Sequence, residues 1–372
     1  MKKKKLLFIF GTRPEAIKLA PLIKAFRREN AFEVVVCCTG QHNSLLDDAI
    51  GFFDIQPDID LKVMQPNQSL YQLSARILER LEAIFKEVDP HLVFVQGDTT
   101  SAYIGALAAF YAKKEICHIE AGLRTNDKAR PFPEELNRRM ISQLADYHFT
   151  PTYEATANLL GDGIKMEVIF QTGNTIIDAL CFALEQTNSE DFFREIGIDK
   201  SDLVEKKLIL ATLHRRENQG VKLEKILESL VKISEWPDTH VIFIIHPNPR
   251  VAEPAKAILS NRSDITLLES QPYQRFVQLM QSCDLIMTDS GGVQEEATYL
   301  GKPLMVLRQK TERSVGVYAG SSILAGTSGQ LVIGLTAKIL NEEMKFSTDQ
   351  RLIYGDGKAS ERIVDKVKQV LG

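Results

Sequence analysis

The chain has 372 residues, 44% of them hydrophobic and 25% charged, with a formal charge of −4. One hydrophobic core stops growing near roughly 250–300 residues, so two domains are expected, and the average composition excludes a disordered or fibrous chain. The slightly acidic balance excludes global attraction to nucleic acid or to an anionic membrane, so an anionic ligand must be held by locally placed cations.

Lys2 to Lys5 ahead of Leu6-Leu7-Phe8-Ile9-Phe10 imitates a secretory leader, but this apolar run is shorter than the roughly 7–15 residues such a segment needs. It reads instead as a first strand. Short runs rich in Val, Ile and Phe then alternate with amphipathic stretches, the pattern of βα units around a parallel sheet. Strands are predicted over residues 6–10, 34–39, 92–96, 116–120, 147–150 and 167–171. The pattern restarts with strands over 208–213, 241–245, 265–268, 285–288 and 304–307, separated by helices such as 223–235. The expected fold is α/β, with two Rossmann-like domains, residues 1–171 and 172–356, whose parallel sheets face a central cleft. The break is set at Gln171-Thr172-Gly173-Asn174, where a strand gives way to turn residues. Ile363, Val364, Val367 and Val370 have helical spacing with no strand after them, so a C-terminal helix over 357–372 is expected to pack back on the first domain.

The longest mostly apolar stretch, 101–112, is too short for a bilayer, which takes about 20 residues. The cysteines, Cys37, Cys38, Cys117, Cys181 and Cys283, are odd in number and lack CxxC spacing, which favours buried, reduced thiols and a cytoplasmic protein.

In open parallel sheets, ligands bind beyond the carboxyl ends of the strands, so the residues that follow strands are the candidates. After the first strand, Gly11-Thr12-Arg13-Pro14 turns into a helix with Pro14 in its first turn. Backbone N–H groups there, with Arg13 and Lys18, suit an anion such as a diphosphate; an ordinary strand–helix turn is the equal alternative. Asp289-Ser290-Gly291-Gly292 opens another helix directly after a strand, and paired glycines let backbone donors approach phosphate oxygens. In that helix Glu295 or Glu296 can accept from ribose hydroxyls or simply complement the helix dipole.

Asp98, Glu120, Glu134 and Glu135 lie after or beside strands of the first half. Together they form a plausible acid/base set; singly, each reads equally well as a cap or first-turn acid. His214-Arg215-Arg216 follows a strand and suits a phosphate or leaving group. His246 closes the next strand, either as a turn or as a ligand contact, and the basic loop 308–313 follows another. No metal-ligand spacing and no Gly-x-Ser-x-Gly elbow is present, so neither zinc hydrolysis nor a serine triad is supported.

Phe10-Gly11-Thr12-Arg13-Pro14-Glu15-Ala16-Ile17-Lys18, Gly97-Asp98-Thr99-Thr100-Ser101, the segments from His118 to Thr125 and from Pro131 to Glu135, Thr172-Gly173-Asn174-Thr175, the segment from His214 to Asn218, and Asp289-Ser290-Gly291-Gly292 together resemble the non-hydrolysing UDP-N-acetylglucosamine 2-epimerases in order and spacing. The resemblance implies a glycosyltransferase-B-like architecture with the nucleotide held mainly by the second domain. It implies catalytic roles for Asp98, Glu120, Glu134 and His214. Arg13, Lys18, Arg138, His246, Ser290, Gly291, Gly292, Glu296 and Arg313 are the expected substrate and UDP contacts. Gln41 and His42 correspond to a pair that, in some bacterial relatives, contacts a second UDP-sugar as activator. The chain departs from the family at Ser314-Val315, where Pro-Glu is usual after the arginine.

The implied reaction is the reversible conversion of UDP-N-acetylglucosamine to UDP-N-acetylmannosamine for surface polysaccharide synthesis, without cofactor, metal, nucleic acid or membrane, by a homodimer. The C2 hydrogen is not α to a carbonyl. Departure of UDP from C1 must acidify it, giving a glycal, and reprotonation from the other face requires acids on both sides of C2. The alternatives are a hydrolysing epimerase that releases free N-acetylmannosamine, and a glycosyltransferase on the same scaffold.

Overall fold

The computed structural model describes residues 3–40, 44–65, 68–186, 192–199 and 203–372. The chain divides into two compact units, Met1–Phe182 with Tyr354–Gly372, and Ala183–Ile353.

In the first unit the elements run β1 (Lys4–Phe10), α1 (Arg13–Arg27), β2 (Phe32–Cys38), α2 (Ser44–Phe52), β3 (Ile59–Asp60), α3 (Leu70–Val88), β4 (Leu92–Gln96), α4 (Thr100–Tyr111), β5 (Glu115–Ile119), α5 (Glu134–Leu144), β6 (Tyr147–Thr150), α6 (Tyr153–Gly161), β7 (Ile169–Gln171) and α7 (Thr175–Gln186). The strands form one parallel sheet in the order β3-β2-β1-β4-β5-β6-β7. β1 and β4 are continuous apolar runs because helices cover both faces of a parallel sheet. α3 shows how a surface helix is specified. Leu73, Ile77, Leu81, Phe85 and Val88 make one buried stripe, Ser69 accepts from the Gln72 N–H, and Asp89 ends the helix in the left-handed region at φ 47°. α4 is rich in small residues instead. A Cβ on its Gly105 would lie 3.2 Å from Ile9, so the helix rides close over the sheet and brings its N-terminus to the end of β4.

The second unit contains α8 (Phe192–Glu195), β8 (Lys207–Thr212), α9 (Val221–Ser234), β9 (Thr239–Ile244), α10 (Pro249–Leu259), β10 (Ile265–Leu268), α11 (Tyr273–Ser282), β11 (Leu285–Thr288), α12 (Gly291–Leu300), β12 (Leu304–Val306), α13 (Ser314–Tyr318), β13 (Ile323–Leu324) and α14 (Gly329–Leu340). Its parallel sheet has the order β10-β9-β8-β11-β12-β13. Both sheets are therefore doubly wound, as Rossmann-like domains require.

The last helix, α15 (Ala359–Leu371), belongs to the first unit. Asp178 of α7 accepts from the Ala359 and Ser360 N–H groups at 3.2 and 2.7 Å, capping α15 at its positive end. Lys368 pairs with Glu29 at the other end.

The division between units falls after Phe182, not at residue 171. Residues 172–182 stay with the first unit because Ile177, Ala179 and Leu180 are buried there and Phe182 packs on Phe52 and Phe53. The predicted strand 167–171 shortens to β7, since residues 166–168 form a 3-10 turn. β3 and β13 escaped prediction. Each is a two-residue edge strand, too short to show alternation. Cys37, Cys38, Cys117 and Cys283 are buried, Cys181 is half-buried, and all five are free thiols. Among the described residues no helix is long and apolar enough to cross a membrane.

Candidate active site

In the first sheet the strand order reverses between β1 and β4, so the loops after them diverge to opposite faces and leave a crevice. Gly11 follows β1, and a Cβ there would meet Ser101 Oγ at 2.2 Å and Thr39 Oγ1 at 2.4 Å. Glu15 ties the two loops together. Its carboxylate accepts from the Gly11 and Thr12 N–H groups at 3.0 and 2.7 Å and from the Thr99 hydroxyl at 2.6 Å. Burial raises the Glu15 pKa, and these hydrogen bonds pull it back in part. The expectation that the Gly11–Thr12 N–H groups await an anion is thus corrected, because a buried side chain of the same helix already occupies them. Arg13, half-buried, is the first residue of α1.

Asp98 and Glu120 follow adjacent strands, β4 and β5. Gly97 and Glu120 both lie in the left-handed region, at φ 68° and 63°, and a Cβ on Gly97 would be only 3.6 Å from Glu120 Oε1. A non-glycine residue held there is a strained position that the surrounding turn must enforce. Gly122 enforces it from behind, at φ 89°, where a Cβ would strike the Ala155 carbonyl oxygen at 2.2 Å. His118 Nε2 lies 2.8 Å from the Gly97 carbonyl, and burial drives the pKa of this ring down to about 4, so it is a neutral donor supporting the turn.

Two cations among the expected substrate and UDP contacts meet carboxylates of the first unit. Lys18 is buried and pairs with Glu120 Oε2. Arg138 is buried and donates from Nε to Asp98 Oδ2 at 2.7 Å, with its Nη2 2.6 Å from the same oxygen in an ion pair, while its Nη1 donates to Glu135 at 2.9 Å. Within the first unit both are partners of the carboxylates. The reason is the strand order, which sets α1 and α5 beside the ends of β4 and β5.

Glu135 is fully buried and also accepts from the Thr125 and Asn126 N–H groups, so it braces Arg138. Asn137 donates to the Asp98 carbonyl at 2.8 Å. Glu134 begins α5 and is half-buried; it lies one turn before Asn137 and Arg138 on the helix face that grips Asp98. The first unit thus brings Asp98 and Glu120 together and carries Glu134 on the helix that holds Asp98.

In the second unit the order reverses between β8 and β11. Asp289, just past β11, is fully buried and locks the two loops. It accepts from the His214 and Arg215 N–H groups at 2.9 and 3.0 Å and from Asn218 Nδ2 at 2.9 Å, with His214 Nδ1 at 3.2 Å. Burial alone would raise the Asp289 pKa. The His214 ring and the Arg215 and His214 N–H groups outweigh it and leave the carboxyl at about 2. Asp289 was not among the candidate site residues, although an acid between a strand and Ser-Gly-Gly was its visible signal. His246 stacks on His214, with ring centroids 5.7 Å apart. Burial, then the neighbouring His214, lowers the His246 pKa to about 4, and its Nδ1 accepts from the Asn248 N–H, which leaves Nε2–H as a donor.

α12 starts at Ser290-Gly291-Gly292, and by helix geometry its first N–H groups have no partner within the helix. Gly291 is required by packing, because a Cβ would lie 2.4 Å from Arg313 Nη1. Glu295 and Glu296 have different partners. Glu295 is buried against Arg313 Nε at 2.8 Å, whereas Glu296 receives the Tyr273 hydroxyl at 2.7 Å and lies 4.0 Å from the place a Gly292 Cβ would take. Arg313, expected as a UDP contact, packs under α12. It is 4% exposed and its guanidinium is engaged by Glu295 and Glu312. Glu312 also pairs with Arg308 at 2.8 Å and Arg215 at 3.5 Å. The loop is pinned by Thr311, whose hydroxyl bonds Gln294 and accepts from the Arg313 N–H, so Ser314-Val315 begins α13 beyond the anchored part.

Gln41 and His42 lie outside the described residues. Among the described residues, no group of three His, Cys, Asp or Glu side chains is placed to hold a metal.

A family model described as UDP-N-acetylglucosamine 2-epimerase matches residues 24–368. The chain is 44% identical over 370 residues to the UDP-N-acetylglucosamine 2-epimerase of Campylobacter jejuni, covering 97% of each chain. It is 44% identical over 369 residues to that of Escherichia coli O157:H7, covering 98% of each. The crystal structure of UDP-GlcNAc 2-epimerase from Neisseria meningitidis bound to UDP-GlcNAc superposes with a TM-score of 0.92 at 38% identity, over 98% of this chain and 100% of the other.

Proposed function

Because the chain belongs to the UDP-N-acetylglucosamine 2-epimerase family, we propose that it interconverts UDP-N-acetylglucosamine and UDP-N-acetylmannosamine without hydrolysis, by eliminating UDP and adding it back. The observation that carries this reading is the pair Asp98 and Glu120. They are two carboxylates at adjacent strand ends, each held by a buried cation, Arg138 and Lys18 respectively. A carboxylate held in a fixed position in this way can serve as a proton acceptor.

In the proposed sequence the C1–O bond breaks with its electron pair passing to the diphosphate. A carboxylate of the first unit takes the C2 proton, and the C1–C2 double bond of a glycal forms. A proton is then delivered to the opposite face of C2 and the diphosphate oxygen returns to C1. No electrons are gained or lost. Asp98, Glu120 and Glu134 serve the sugar. The second unit holds the nucleotide, with the first N–H groups of α12 and the His246 Nε2–H directed to the diphosphate and Glu296 to the ribose. His214, fixed by Asp289, stabilises the departing UDP, and Arg13 adds positive charge.

Free thiols throughout the chain support a cytoplasmic location. Phe132 just before α5, Leu136 and Met140 on α5, and Phe110 and Tyr111 on α4 are large exposed apolar side chains, which supports a homodimer. The product would supply activated N-acetylmannosamine for surface polysaccharide.

The test is incubation with UDP-N-acetylglucosamine in deuterium oxide, without NAD or acceptor, followed by NMR. The expected product is UDP-N-acetylmannosamine deuterated at C2. Free N-acetylmannosamine plus UDP would replace the reading with a hydrolysing epimerase, and an unchanged sugar would refute epimerisation.

A further inference from the structure

Asn174 has no role in the reaction as derived so far, yet it is 1% exposed and donates from Nδ2 to Glu120 Oε2 at 2.6 Å. Its other amide atom is fixed independently. Oδ1 accepts from the Ile176 N–H at 3.3 Å, the bond of a residue capping the start of α7. That bond settles the orientation of the amide, because an oxygen facing a backbone N–H leaves the NH2 group facing Glu120. The backbone is pinned as well, since the Asn174 N–H donates to the Tyr354 carbonyl at 2.7 Å.

Glu120 Oε2 therefore receives two donors, Lys18 Nζ and Asn174 Nδ2. Neither can accept, so a proton on Oε2 would point at another proton. Oε1 is the oxygen near Gly97. Lys18 of α1 and His118 of β5 are charged or titratable groups that act on Glu120, Arg138 of α5 and Asp98 lie at the neighbouring strand end, and Asn174 approaches from the α7 side.

We propose that Asn174 is a positioning residue for the proposed epimerisation: as the cap of α7 it directs an N–H donor to Glu120 Oε2 and so fixes the orientation in which Glu120 exchanges its proton. This rests on the acid/base reading of Glu120. Aspartate and serine cap helices about as well as asparagine. Asn174→Asp and Asn174→Ser therefore retain the cap but remove the donor, whereas Asn174→Ala removes both.

The experiment uses the full chain. The Glu120 carboxyl is followed by 13C NMR across pH in protein labelled at glutamate Cδ, its signal assigned by its loss in Glu120→Gln. Turnover, KM and calorimetric UDP affinity are measured in parallel. All three Asn174 variants are expected to lose about 10–100-fold in kcat with KM and UDP affinity within about threefold, the scale of a displaced acid/base group. In Asn174→Asp the Glu120 titration should move to higher pH than in wild type, since a like charge replaces a donor. Wild-type-like turnover and an unmoved titration in the Asp and Ser variants, with loss only in Ala, would reduce Asn174 to a helix cap and overturn the proposal. A wild-type protein without epimerase activity would sink the functional reading instead, and the titration would still decide whether Asn174 controls Glu120.

Discussion

Asp289→Asn tests whether one buried carboxylate organises the second unit. Its fall from 3.8 to about 2 corresponds to about 2.5 kcal/mol of preference for the charged form, at about 1.36 kcal/mol for each pH unit. Asparagine loses that term. Its NH2 group must also face either the His214 donors or those of Arg215 and Asn218, which leaves buried donors unmet at about 1–3 kcal/mol. The two overlap, so the expected loss is about 3 kcal/mol, confined to the second unit. The chain's single tryptophan makes this readable, because Trp236 packs on the second unit's core and its fluorescence reports that unit alone. In urea the fluorescence midpoint should fall by about 1 M or more, taking a slope of about 2–3 kcal/mol per molar. The folded pKa is depressed, so the contribution is complete above pH 3.8 and is lost as pH falls toward 2. The gap between wild type and variant should hold from pH 8 to 5 and narrow below about pH 4. A midpoint within about 0.3 M of wild type at pH 7 would refute the reasoning.

Asp98→Asn should cost about 10²–10⁴ in turnover with UDP affinity retained; near-normal turnover would remove Asp98 from the mechanism. Arg138→Met should cost about 3–5 kcal/mol in chemical unfolding followed by circular dichroism. It strips Asp98 of its cation and takes from the fully buried Glu135 the nearer of two arginines, leaving Arg139 at 3.5 Å; a loss under about 1 kcal/mol would contradict this. Gly122→Ala combines a left-handed backbone with a 2.2 Å clash against Ala155, so about 3 kcal/mol and a Tm lower by about 6–12 °C are expected, and a shift under about 2 °C would refute it. Burial is the main cause that lowers His118 and His246 to about 4 and His148 to about 3. The unfolded chain binds these protons below pH 6.5 while the folded one does not, so stability is full above 6.5 and falls on acidification, by about 2 kcal/mol for each ring at pH 5. A urea midpoint unchanged between pH 7.5 and 5 would show that these rings protonate freely in the folded state.

The sequence by itself determined the central strands and the α/β alternation. β1, β4, β8 and β11 are apolar runs ended by Gly, Asp or His, and α3 carries its buried stripe and its serine cap in consecutive residues. Periodicity and turn chemistry are local, so they survive in a linear reading, and motif order extended that reading to the family. The tertiary structure decided which charge answers which. Lys18 and Glu120 are 102 positions apart, and Arg138 and Asp98 are 40 apart. Nothing near Lys18 or Arg138 in sequence distinguishes a cation that meets a diphosphate from one that meets a buried carboxylate. The partner depends on the order β1-β4-β5 in the sheet, which brings those ends side by side. The same holds for Asp289 between two loops, for the different partners of Glu295 and Glu296, and for residues 172–182, whose allegiance follows from Phe182 meeting Phe53 and from Asp178 capping α15. Coulomb attraction and packing act through space, and only the folded chain sets those distances.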